Sequence, residues 1–240
     1  MYLKQRPVLP PRYQAIYAEH YRRNREGVGM ASALSKKLEA WMHRKVASDS
    51  RSHLTTLEIG AGNLNHVPFE PQTSTYDVVE ELTELCRNSP HRGSVRNIYA
   101  SLDKISGIRY DRIISIASFE HLCNLPEVIA TCGLLLSPGG ILRVAIPSEG
   151  TLLWKAAWTM STGIAFQLRY GLNYGVLMRH EHVNTAEEVT HVLHMFFTDT
   201  RRSVFGIRPQ LSLYQFFECR NPNLEYCRRF LTEPDKRAFV

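Results

Sequence analysis

The chain's most chemically suggestive run is Leu57-Glu58-Ile59-Gly60-Ala61-Gly62-Asn63. An apolar run ends here in two glycines one residue apart, with an acid just before them. Glycines at such a turn let the backbone approach a ligand closely, and the turn's N–H groups can serve a polar or charged group. The dinucleotide fingerprint needs a third glycine, and this chain has Asn65 in its place, which counts against a nicotinamide or flavin enzyme. Two histidine-bearing clusters follow, Glu120-His121 and Arg179-His180-Glu181-His182. Histidine is the side chain best suited to moving protons near neutral pH.

These groups need a scaffold, and the hydrophobic pattern predicts one. Leu54–Ile59, Tyr76–Val79, Arg112–Ala117 and Ile141–Ile146 read as short buried strands, each followed by Gly, Pro, Ser or an acid. A helix is expected after the glycine turn. Another starts near Asn124, with Pro126 in its first turn and Val128, Cys132, Leu135 and Leu136 on its apolar face, and Ser137-Pro138-Gly139-Gly140 ends it. Buried strands alternating with helices imply a parallel sheet with right-handed crossovers, an α/β doubly wound fold. The rhythm breaks over 148–184, where Trp154, Trp158, Phe166, Tyr170 and Tyr174 suggest an insertion over the ligand face. Thr185 and Glu188 then form a capping box for a helix bearing Val189, Val192, Leu193 and Phe196, with His191 and His194 toward solvent. Ser203–Ile207 and Leu211–Cys219 read as an antiparallel hairpin.

The division expected is a helical cap over 1–50 and one domain over 51–240 carrying the insertion. In the cap, Leu34, Leu38, Trp41, Met42 and Val46 mark an amphipathic helix, and Tyr13, Tyr17 and Tyr21 form a stripe that either covers a pocket mouth or packs on the domain. Composition is ordinary for a globular protein, at 44% hydrophobic and 22% charged, with 29 basic and 23 acidic residues leaving a net charge of +6. That balance is thin for a nucleic-acid binder, and Arg22, Arg23 and Arg25, a candidate anion contact, read first as a solvated helix face. Five cysteines without a CxxC pair suit a reducing compartment; with no apolar run long enough to span a bilayer and no signal-peptide pattern, a cytoplasmic location is expected.

In order and spacing, the motifs resemble those of class I S-adenosylmethionine-dependent methyltransferases. Glu58-x-Gly60-x-Gly62 resembles the first motif. Tyr76-Asp77-Val78-Val79-Glu80 resembles the second strand, whose terminal acid holds the ribose hydroxyls, and Glu80 follows Gly62 at close to the roughly 20 residues usual for a ribose acid. Ser101-Leu102-Asp103 sits where the family places its adenine contact, Tyr110–Leu122 resembles the fourth-strand motif, and Leu136–Leu142 the turn into strand five. The resemblance implies a seven-stranded, mostly parallel sheet with an antiparallel C-terminal hairpin, and S-adenosylmethionine as cofactor. It places Glu58, Gly60, Ala61, Gly62, Asn63, Glu80, Glu81, Ser101, Leu102, Asp103, Ala117 and Ser118 around that cofactor.

It also implies His121 as general base for a hydroxyl acceptor, with His180 and His182 as a second catalytic cluster. Some relatives hold a divalent ion with Glu-x-x-Glu-His. Ala117 stands at the first glutamate here; Glu120, His121 and one of His180 or His182 are three remaining donors, and no metal ligand is assigned. A looser likeness to glycan and natural-product enzymes points to O-methylation of a sugar, nucleotide sugar, natural product or other small polar acceptor. The alternatives are an RNA methyltransferase and a non-catalytic partner subunit of the same fold.

Overall fold

The structure is a computed structural model that describes residues 4–17, 33–49, 51, 53–71 and 75–233. Tyr21 and the Arg22, Arg23, Arg25 cluster lie outside these residues. Seven strands form one sheet: β1 (Thr55–Ile59), β2 (Thr75–Val79), β3 (Asn97–Tyr99), β4 (Tyr110–Ile116), β5 (Leu136–Pro147), β6 (Phe197–Arg208) and β7 (Leu211–Pro222). Their order is β3-β2-β1-β4-β5-β7-β6. The first five are mutually parallel, and β7 runs antiparallel to both β5 and β6. Strand order reverses between β1 and β4, so the crevice outside their carboxyl ends is the natural ligand position.

Side chains alternate across the sheet, as the two-residue strand period requires. Leu57, Ile113, Leu142 and Val144 face one core layer with helices α4 (Leu125–Leu135), α8 (Ala186–Phe196) and α9 (Leu224–Thr232). Val78, Ile114, Ala145 and Phe216 face the other, where Met42 and Val46 of α2 (Ala33–Ala47) pack directly on the sheet. A first helix, α1, covers residues 11–17. The capping box forms as expected: the Thr185 hydroxyl accepts from the Glu188 N–H at 3.2 Å, and the Glu188 carboxylate accepts from the Thr185 N–H at 2.8 Å. His191 and His194 are exposed.

Several expectations need correction. No α-helix follows the glycine turn. Residues 62–66 run through turns into a single 3-10 turn, Val67–Phe69. Leu64 is left-handed at φ 62°, and Pro68 brings no N–H, so a helical ladder cannot propagate there. The helix after Asn124 ends at Leu135, and Leu136–Gly140 already belongs to β5. Gly140 is required in that strand, because a Cβ would come within 2.9 Å of the Ser137 carbonyl. The hairpin strands are longer than their apolar runs, since β6 begins directly after α8. Three elements were not foreseen: the short helix α3 (Thr83–Arg87), the three-residue β3, and α9, which buries Cys227 and Phe230.

Residues 148–184 fold mainly as helices: α5 (Leu152–Trp158), a π-helical turn (Thr159–Gly163), α6 (Ile164–Tyr170) and α7 (Tyr174–Glu181). Tyr13 packs with Leu9, Phe166 and Leu177, and its hydroxyl donates to the Asn173 carbonyl at 3.1 Å. This part of the tyrosine stripe therefore packs on the insertion.

Candidate active site

Two adjoining cavities lie at the carboxyl ends of β1, β2 and β4. One of about 550 Å³ is lined by Glu80, Glu81, Ser101, Leu102, Asp103 and Ser118, among others. The other, about 390 Å³, is lined by Glu58, Ala61, Gly62 and Asn63 on one side and by Glu120, Glu181, His182, Tyr174 and Trp154 on another. Gly60, Ala117 and His121 line both. All twelve residues expected at the cofactor therefore line one cavity or the other.

The glycine turn has a specific physical cause. Gly60 sits at φ 73°, and a Cβ there would lie 2.7 Å from the Ser118 Cβ and closer still to its hydroxyl. Only glycine fits between β1 and the end of β4. Gly62, at φ 51°, donates its N–H to the Glu80 carboxylate at 2.9 Å, and Leu82 donates to the other carboxylate oxygen at 3.0 Å. Two backbone donors thus hold Glu80 at the cavity edge. Ala117, between the cavities, takes the strained left-handed conformation at φ 49°.

Glu58 is buried beneath the turn. Burial pushes its carboxyl up to about 8, opposed by the Tyr76 hydroxyl that donates to it at 2.8 Å and reinforced by the charges of Glu70 and Glu80. Burial is the largest cause, so near neutral pH Glu58 is held mainly in its neutral form.

The histidines occupy different positions. His121 follows β4 on a 3-10 turn, and its Nδ1 lies 2.9 Å from the Glu181 carbonyl. A carbonyl only accepts, so Nδ1 carries the hydrogen and Nε2 of the neutral ring keeps its lone pair. His182 Nδ1 pairs with the Glu149 carboxylate at 2.7 Å, and the two imidazoles meet edge to face at 4.8 Å. Burial pulls the His182 pKa down, but the Glu149 hydrogen bond and the charges of Glu120, Glu149 and Glu181 outweigh it, so the net shift is upward. His180 lies on another face of α7. Its Nδ1 meets the Pro7 carbonyl at 2.7 Å, its ring packs on Tyr17, and it lines neither cavity. Glu120, His121 and His182 present ligand atoms within 4.8 Å of one another, a set able to hold a divalent ion.

Sequence reasoning missed two contributions. Arg6 donates to the carbonyls of His121, His180 and Glu181 at 3.0–3.1 Å, so the N-terminal segment straps the β4 loop to α7. His43, from α2, also lines the smaller cavity. Its Nδ1 lies 3.0 Å from His66 Nδ1; His66 Nε2 reaches Glu70 at 2.8 Å, and Arg112 clamps Glu70. Burial first, then the neighbouring His66, lowers the His43 pKa to about 4. Regular spacing gave no signal for this chain of contacts, because its members come from three separate segments.

No protein-family model matches the chain, and no curated protein matches it in sequence. Solved structures match it in shape. The N-methyltransferase NodS from Bradyrhizobium japonicum WM9, in complex with S-adenosyl-L-homocysteine, aligns at TM-score 0.55 and 16% identity over 88% of this chain and 100% of its own. An O-methyltransferase family protein from Burkholderia thailandensis aligns at TM-score 0.56 and 15% identity over 92% and 66%. The CurJ carbon methyltransferase aligns at 0.56 and 18% over 88% and 61%. The strand order, the glycine turn and these matches define the fold as that of the class I, Rossmann-like methyltransferases. The three matched proteins are named for nitrogen, oxygen and carbon methylation, so the fold leaves the acceptor atom open.

Proposed function

We propose that this chain is an S-adenosylmethionine-dependent methyltransferase that methylates a hydroxyl of a sugar or other small polar acceptor. The observation that carries the reading is the Gly60–Gly62 turn with the Glu80 carboxylate fixed beside it, opening on two joined cavities. NodS was crystallised with S-adenosyl-L-homocysteine, which supports the cofactor assignment.

The residues present fit that cofactor. Glu80 would accept from the ribose hydroxyls as a charge-assisted acceptor, Ser101, Leu102 and Asp103 would flank the adenine, and Glu58 with the glycine turn would face the amino-acid end. When bound, S-adenosylmethionine supplies a methyl group made electrophilic by its sulfonium. The chain's own work is orientation, exclusion of water and proton handling. His121 lines both cavities, and on this tautomer its Nε2 is the ring nitrogen that would take a hydroxyl proton. Glu181 holds that tautomer through its carbonyl, and Glu149 does the same for His182 through its carboxylate.

The test is an acceptor screen with methyl-labelled S-adenosylmethionine over sugars, nucleotide sugars and natural-product scaffolds, with calorimetry of S-adenosylhomocysteine alongside. Label on an acceptor oxygen is expected. Failure to bind S-adenosylhomocysteine overturns the reading.

A further inference from the structure

A third cavity, a groove of about 820 Å³, lies between the α5–α6 helix and α7. One wall carries Leu152, Ile164 and Leu168, which are 83%, 53% and 82% exposed. All three lie along the one groove rather than scattered over the surface, which is the arrangement an apolar partner uses. Trp158 lies deep between the walls: a Cβ on Gly175 would come within 3.3 Å of its ring, and one on Gly163 within 3.6 Å. The ring contact at Gly163 would be an ordinary one, so it is Gly175 that keeps the α7 wall clear of the indole. The groove also reaches the candidate active site, because Tyr174, Met178 and His182 line both it and the acceptor-side cavity.

Charge narrows the occupant. Lys155 and Arg179 line the groove and Arg169 is exposed nearby, against one acid in the lining, Glu149, whose carboxylate is engaged by Trp154 and His182. A two-fold contact of this face with a second copy would gather those three cations from each copy into one interface, which opposes self-association.

We propose that the groove is a subsite for a hydrocarbon chain carried by the methyl acceptor, making the substrate a neutral or anionic amphiphile. Its polar end reaches His182 and His121, and its chain lies between the two helical walls. The proposal rests on the methyltransferase reading for the identity of the polar end, and on the groove alone for the chain.

The experiment titrates hexyl, octyl and decyl β-glucoside, each below its micelle concentration, into the full chain with S-adenosylhomocysteine present. One site per chain is expected, with affinity rising about twofold per added methylene, as for a chain half covered by an open groove. Ile164→Ser with Leu168→Ser should flatten that dependence. Gln167→Trp, at an exposed position in the lining, should fill the groove and weaken decyl glucoside by about tenfold or more. A merely sticky surface would bind the tryptophan variant as well or better, and that result overturns the proposal. So do affinity independent of chain length, several weak sites, or a wild-type dimer that Ile164→Ser dissolves. S-adenosylhomocysteine titrated alone reports on the methyltransferase reading separately: its failure with chain-length dependence intact removes that reading and keeps the subsite.

Discussion

The two halves of the candidate site are built by different means. On the cofactor side, backbone does most of the shaping: Gly60 fits against Ser118, and Glu80 is held by the N–H groups of Gly62 and Leu82. On the acceptor side, side chains from four separate stretches converge, namely His43, His121, Trp154 and His182. A backbone cradle tolerates little variation, whereas a wall of loop and helix side chains can be rebuilt for a new acceptor without disturbing the cradle. The shape matches to proteins named for nitrogen, oxygen and carbon methylation fit that division.

The division can be broken most sharply at His121. His121→Ala should lower turnover by about a hundredfold or more, the usual worth of a general base, with S-adenosylhomocysteine affinity within about twofold of wild type. A matching loss of affinity would show that the two halves are not separable. The reverse experiment is Glu80→Ala. It should weaken S-adenosylhomocysteine binding about thirtyfold by calorimetry, through loss of a charge-assisted acceptor and of the anchor for two backbone donors.

Glu58 sharpens the comparison from beneath the turn. Its folded pKa of about 8 lies above its unfolded value, so its contribution to stability is fully present at low pH and is lost as pH rises through 8. Glu58→Gln cannot ionise. Its Tm without ligand should overtake that of wild type by roughly 4 °C between pH 6 and 9. A gap that stays constant across that range would show that burial does not raise the Glu58 pKa. The smallest effect is expected at His180, which points away from both cavities. His180→Ala should leave turnover within about twofold, and a larger loss in initial-rate assays would return it to the acceptor side.

The same division explains what could be read from the chain. Glu58, Gly60, Gly62 and Glu80 were legible because a strand end, a tight turn and a second strand end fall at regular intervals. The strands themselves were visible as apolar runs, although Arg112 and Arg143 sit buried within two of them. Those guanidiniums donate to the Val46 carbonyl, with Arg143 also reaching that of Lys45, and so tie the last turn of α2 to the sheet. Nothing in local spacing announces such a pairing across 66 or 97 residues. The missing helix after Gly62 was misjudged because the general pattern of strand, glycine and helix outweighed Pro68. His43 and Arg6 were passed over because each reaches the site from an element that looked like cover.

The lost helix also bears on selectivity by charge. In nucleotide-binding folds of this shape, a helix aims its positive amino end at a phosphate. Here that stretch is spent on turns, so no helix end follows the glycine bend, and the Glu80 carboxylate lies beside it instead. With a carboxylate, Glu80, beside the bend and no helix end behind it, the turn itself offers an amine more than it offers a phosphate.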